Sequence, residues 1–263
     1  MFAPSLVGFL GLPCLFLACA ELPESDSRQV AEKLWKAGQA AMQKGQPDEA
    51  IQFYQLSLNA DPNNTGNYLS LAAAYLEKSD LPSACGHLGN YVQSHPEHHI
   101  VRVRYAELLL RLGKLNQARV EFEEFIADAQ ENDDPAASSI LPSHSKLMEI
   151  AETQVDSYGQ HLHRGIGLYL LACKRAKLPE PEGEFPAQSL FCKAAAELTL
   201  ALRARRDEAQ PCWYLYTIWS TLGQRQPALC QLRNAAAAAT SSYLTPSERR
   251  GLFYAWHSVR EGK

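Results

Sequence analysis

Residues 68–96, YLSLAAAYLEKSDLPSACGHLGNYVQSHP, decide the fold. The stretch carries Tyr68, Leu71, Ala72 and Tyr75, turns at Ser79, continues with Ala84, Leu88 and Tyr91, and stops at Pro96. On both sides of it the same arrangement recurs at a fixed interval. Small residues stand at Gly38, Ala72 and Ala106, each 34 residues from the last, and alanines stand at Ala50, Ala84 and Ala118 at the same spacing. Gly45, Ser79 and Gly113 mark one turn per copy. A period of this length with two helices per copy is the sequence sign of a helical solenoid. Such arrays mostly bind other macromolecules.

The copy before the quoted stretch spans about 29–62. Leu34, Ala37, Gly38 and Ala41 form the inner stripe of its first helix, and Ala50, Tyr54 and Ser57 that of its second; Asp61-Pro62 ends it, because proline cannot continue a helix. The copy after it has Tyr105, Ala106 and Leu109, then Ala118, Phe122 and Phe125, with Gln130 at the place of the final proline and Pro135 supplying the stop. A small residue in mid-helix lets the second helix approach closely, and the bulky residues fill the space beside it.

These residues resemble the tetratricopeptide repeat (TPR), whose pattern is an aromatic, leucine-glycine, tyrosine, alanine, phenylalanine, alanine and proline. The resemblance covers about 29–132 in three in-phase copies. It departs at Leu34 and Ala41, where large aromatics are usual, at Ser57, at Tyr91 and Phe125, and at Arg102, which takes the place of Leu34 in the third copy. The resemblance implies an all-α, right-handed superhelical solenoid of antiparallel helix pairs.

Past 132 the phase is lost. Residues 133–142 read as a linker, and 143–208 as a divergent helical region broken near Asp156-Ser157, with a Pro- and Glu-rich loop exposed at 177–187. Two pairings fit that region. Either 143–156 pairs with 157–176 and 188–206 is an extra helix, or 158–176 pairs with 188–206 and Leu171, Ala172, Ala196 and Leu200 take the core places. The pattern returns over about 209–240, with Leu215, Tyr216, Trp219, Gly223, Ala228 and Leu232, although Tyr216 occupies the place of the small residue and requires wider or tilted helices. Thr245-Pro246-Ser247-Glu248 is a capping box with proline at the first helical position. It opens a C-terminal capping helix that carries Leu252, Phe253 and Trp256 and covers the last apolar face.

The chain has 263 residues, a formal charge of −4 and 46% hydrophobic residues, enough for a sizeable core. Without a basic excess to displace counterions from phosphates, nucleic acid is not an expected partner. Residues 1–20 carry no charged side chain, and Leu6–Ala20 is an apolar run ending in Ala18-Cys19-Ala20. That run reads as a secretory signal lacking its usual basic start, with a tether at 21–28. Phe16-Leu17-Ala18-Cys19 resembles the lipobox of bacterial lipoproteins, which implies a lipid on Cys19; the plainer reading is ordinary cleavage after Ala20. An exported, periplasmic or cell-envelope protein is therefore expected, with membrane contact only through that lipid, and a cytoplasmic protein is the alternative. In the body, Cys85, Cys173, Cys192, Cys212 and Cys230 form no C-x-x-C pair. They read as buried free thiols, with a Cys173–Cys192 bridge as the oxidised alternative.

No residue set for catalysis is found, and no cofactor or metal is expected. Gly165-Ile166-Gly167 lacks the third glycine of a phosphate loop and suits close helix packing. His95, His98 and His99 sit at a joint between copies, as an exposed loop does. His161 and His163, two apart on a helix, point to different faces and make poor joint ligands; a buried, hydrogen-bonded place suits one of them better.

What remains is binding. The resemblance places the first helix of each pair on a concave face, lined one step beyond the packing residues. That selects Trp35, Gln39 and Met42; Leu69, Ala73 and Leu76; and Val103, Glu107 and Leu110. The outer rows Trp35–Leu69–Val103 and Met42–Leu76–Leu110 are wholly apolar, which suits a helix or peptide docking by its hydrophobic face. Grip on a terminal carboxylate, the family's electrostatic mode, does not suit Trp35, Gln39, Leu69 and Ala73. The intramolecular alternative is that the chain fills its own groove, and Leu69→Glu separates the two. Three functions fit: an exported adaptor or scaffold without enzymatic activity, a cytosolic adaptor, and a regulatory or assembly subunit of an enzyme complex.

Overall fold

The computed structural model describes residues 24–131, 138–178 and 186–261. Among these residues the regular structure is all helical, with twelve α-helices and no strand. The expected signal, Cys19 and most of the 177–187 loop lie outside the described residues. The chain divides into two compact units, Met1–Asn67 and Tyr68–Lys263.

In the first unit, α1 (Glu24–Gln43) packs along α2 (Pro47–Ala60). Gly38 explains the pairing, because a Cβ there would lie 2.5 Å from Cε1 of buried Tyr54. Ser57 does more than tolerate the alanine place. Its hydroxyl donates to the Ala31 carbonyl at 2.7 Å and accepts from Asn67 Nδ2 at 3.1 Å, so the buried hydroxyl is bonded on both sides. The tether expected at 21–28 is corrected: α1 begins at Glu24, since neither glycine nor proline interrupts 24–37.

The second unit takes up α3 (Gly66–Glu77) from Tyr68 and continues through α4 (Leu81–Ser94), α5 (His99–Arg111) and α6 (Leu115–Glu131). Ala72, Ala84, Ala106 and Ala118 are all buried, as the stripe requires, and Leu109, Phe122 and Phe125 fill the space beside them. Arg102 is buried as well, at a place where the repeat normally puts an apolar residue. Its guanidinium bridges Glu121, at 3.2 Å, and Glu124, and donates to the Pro96 carbonyl at 3.3 Å. A buried charge persists only when paired in this way.

Beyond α6 come α7 (Ile140–Thr153), α8 (Ser157–Ala176), α9 (Ala187–Ala204), α10 (Ala209–Thr221), α11 (Arg225–Ala238) and α12 (Pro246–Arg260). The expected linker at 133–142 is thus shortened, because α7 already starts at Ile140. Neither of the two pairings describes 143–206 fully. α8 packs on α7 on one side and, more extensively, on α9 on the other. Gly165 makes the second contact possible: a Cβ there would meet Leu198 Cγ at 2.7 Å and its backbone N at 3.2 Å. The buried face of α9 is consequently Ala194, Leu198 and Ala201. The anticipated core places are corrected accordingly; Ala172 is buried, but Leu171 and Ala196 are exposed and Leu200 is half-buried.

One turn recurs throughout. Gly45, Gly113 and Gly223 have φ of 70°, 72° and 71°, and Ser79 has 60°. At each, the left-handed residue donates three residues back and its successor five back, as in Ser79 N to Leu76 O and Asp80 N to Tyr75 O. This is the Schellman closure of a helix C-terminus. The α7–α8 turn has it too, through Val155 (φ 57°), whose amide reaches Glu152 O while that of Asp156 reaches Ala151 O.

At the C-terminal end, Thr245 and Glu248 form both bonds of the capping box, and the Glu248 carboxylate also accepts from buried Gln210 Nε2 at 3.1 Å. Leu252 is buried and Trp256 half-buried, but Phe253 faces solvent, a correction to the expected capping face. Gly251 admits the Trp213 ring of α10. α12 also touches α6.

Candidate functional site

The positions selected for a concave groove divide by exposure. In the second unit Leu69, Val103 and Leu110 are half-buried against the core built on Ala72, Ala106 and Phe122. Leu76, 40% exposed, and Ala73 and Glu107 face solvent. The α3–α5 surface is thus a mixed one, with apolar side chains set half into the core and their outer faces open. In the first unit Trp35 and Met42 are half-buried and Gln39 is exposed.

A second concave feature has no counterpart in the sequence reading. Within the second unit a cavity of about 390 Å³ opens between α6, α7 and the first turns of α8, closed by the α9–α10 turn and by 241–245. Its apolar wall is Ile126, Leu147, Ala151 and Leu162. From α7 comes His144, from α8 His163 and Tyr158, from α6 Arg119 and Glu123, and from the α9–α10 turn Arg205 and Glu208. Arg205 is held in place, with Nη2 3.4 Å from Asp156 Oδ1 and its guanidinium carbon 4.5 Å above the Tyr158 ring centre.

Burial governs the electrostatics of this cavity. The Nδ1 atoms of His144 and His163 lie 3.2 Å apart, so one ring donates to the other. Burial, reinforced by the neighbouring His163, holds His144 well below the usual imidazole range. Burial likewise pushes His163 down to about 4, opposed by Asp156 and aided by Arg119. The pair is therefore neutral at pH 7. Burial raises the Glu123 carboxyl, with Arg119 pulling the other way, and burial followed by Glu208 raises the Tyr158 hydroxyl.

The other histidines have structural partners. His161 Nδ1 lies 2.7 Å from a Glu197 oxygen, so both members of the His161/His163 pair are bonded, each on its own face. At the joint before α5, Tyr91 Oη lies 2.5 Å from His98 Nδ1, and the His95 ring stacks on Tyr91 at 4.5 Å. Among the described residues no group of three or more His, Cys, Asp or Glu side chains is placed to hold a metal ion. The five body cysteines are free thiols, buried at Cys85 and Cys212, half-buried at Cys173, and exposed at Cys192 and Cys230, which corrects the expectation that all five are buried. No described helix is long and apolar enough to cross a membrane.

Fold and site together define a helical-repeat protein. Residues 31–64 match the family model of the tetratricopeptide repeat. The chain is 22% identical over 209 residues to DnaJ homolog subfamily C member 3 of Homo sapiens and 21% identical to that of Bos taurus, matches that cover 77% of this chain and 42% of the relative. It thus spans about two fifths of the length of these curated relatives. Among solved structures, it is similar to MamA, at 15% identity and a TM-score of 0.41 over 83% of this chain and 99% of that one. It is also similar to PilW, a type IV pilus biogenesis factor, at 16% identity and a TM-score of 0.39 over 85% and 99%.

Proposed function

We propose that this protein is a scaffold without enzymatic activity that binds a peptide or helix of a protein partner along α3 and α5. One observation carries the reading. Leu69, Val103 and Leu110 are anchored in the core while Leu76 and Ala73 beside them stay open to solvent, a rigid apolar surface at helical spacing. Trp35, Gln39 and Met42 on α1 take the corresponding places in the first unit. The tetratricopeptide match supports an interaction role. In the same proposal residues 1–20 direct export and Cys19 is the lipid attachment site. Intact mass of protein from its native host tests that part: a chain starting at Cys19 with added acyl mass supports it, and an uncleaved chain overturns it.

The groove is tested with a photo-crosslinking residue placed at Leu76, at Leu110, or at Val120, an exposed apolar position on α6. One and the same protein should cross-link from Leu76 and Leu110 and not from Val120, and Leu76→Glu should abolish it with helicity unchanged. Equal labelling from Val120 would sink the reading.

A further inference from the structure

We infer that the cavity between α6, α7 and α8 binds a free basic α-amino acid. It is distinct from the α3–α5 surface, and its size points to a small molecule. About 390 Å³ lies at the low end for ligand pockets and is too narrow for a helix some 10–12 Å across.

The chemistry comes from what the wall leaves over after its internal bonds are made. Arg205 is engaged by Asp156, Gln154 by Asn116 and Gln210 by Glu248. Arg119, Glu123 and Glu208 make no hydrogen bond or ion pair with any described residue, although all three line the cavity. Arg119 and Glu123 stand one turn apart on one face of α6, roughly 6 Å between Cβ atoms. An α-amino acid carries its carboxylate and ammonium on one carbon. It can therefore present a carboxylate to the guanidinium fork and an ammonium to Glu123 at once. Glu208, on the α9–α10 turn, leaves one negative charge unanswered, which selects a cationic side chain.

His144 supplies an independent observation. It is only 3% exposed and lines the cavity; Nδ1 is committed to His163, while Nε2, fully buried, has no partner among the described residues. A buried imidazole nitrogen left unbonded is destabilising by about 1–3 kcal/mol. A polar ligand in the cavity relieves it, while Leu147, Ala151 and Leu162 pack the ligand's carbon chain.

The test uses the full chain, L-lysine and L-arginine as probes, and calorimetry together with the ring 15N signals of the histidines. One of the two should bind with Kd near or below about 1 mM. Nε-free Nα-acetyl-lysine and lysinamide, each lacking one head-group charge, should bind at least about tenfold more weakly. Arg119→Gln should abolish binding and Glu208→Gln should weaken it about tenfold, with far-UV circular dichroism unchanged. In the unaltered protein the His144 ring signal should move on saturation, a readout that does not depend on any variant folding. The inference is overturned if neither amino acid binds at about 10 mM, if Nα-acetyl-lysine binds as well as lysine, or if binding leaves the His144 signal in place.

Discussion

At the α5–α6 turn the left-handed residue is Gly113, and at the α7–α8 turn it is Val155, yet the two turns close with the same pair of backbone hydrogen bonds. What differs is the packing that follows. α6 is the partner of α5 in a regular pair, whereas α8 lies between α7 and α9 and approaches α9 so closely that position 165 admits only glycine. The two regions share a way of ending a helix and diverge in how the next helix is buried. Turn geometry is therefore a more persistent feature of this chain than the spacing of its core residues.

The contrast can be broken most severely at Gly165. Gly165→Ala pushes a methyl into fully buried Leu198 and its backbone, and should destabilise the protein by about 3 kcal/mol in chemical denaturation. An unchanged midpoint would mean that α8 and α9 are not in the contact described. The neutral histidines offer the next test, since they belong to the α7–α8 region alone. Their folded pKa values lie below the unfolded value near 6.5, so the unfolded chain takes up protons first as pH falls. Stability is fully present above about pH 6.5 and should drop by roughly 2 kcal/mol by pH 5.5. Thermal midpoints recorded across this window should show the loss, and His163→Gln should reduce it to about half, because burial still holds down His144.

The turns themselves sharpen the comparison. Val155 is 85% exposed in a backbone conformation that β-branched residues avoid. Val155→Gly should stabilise by about 1 kcal/mol, and Gly113→Val should destabilise by at least as much. If both changes are neutral, the two turns are not equivalent. The smallest effect is expected at Gly86 in α4, where a Cβ meets nothing within 4 Å. Gly86→Ala should stabilise by about 0.5 kcal/mol, the reverse of the same change at Gly165.

These particulars explain what was readable beforehand. Gly38, Ala72 and Ala106 announce their helix pairs because close approach forbids a large side chain at one fixed place, and that restriction is visible in the residue itself. The break between α7 and α8 was legible near Asp156-Ser157, but its left-handed closure was not, because Val155 occupies a position that elsewhere advertises itself as glycine or serine. The burial of Arg102 could not be foreseen while its partners Glu121 and Glu124 stood a helix away. The cavity was illegible for a similar reason: Arg119, His144, His163 and Glu208 come from four separate segments, and no spacing in the chain ties them together. His163 alone gave a hint, as a member of the pair His161 and His163, one of which was expected in a buried, bonded place.

The contact between α12 and α6 bears on how the protein comes apart. An array in which each element touches only its neighbours can peel open from its end, one element at a time. A helix that starts at Pro246 and rests on one that ends at Glu131 forms a chord across the sequence between them. With Gln210 tying the start of α12 to α10, the last helix is bound at two points far apart in the chain. Its amides should therefore exchange with solvent on the same timescale as those of α6 and α10, as one cooperative block instead of a fraying end.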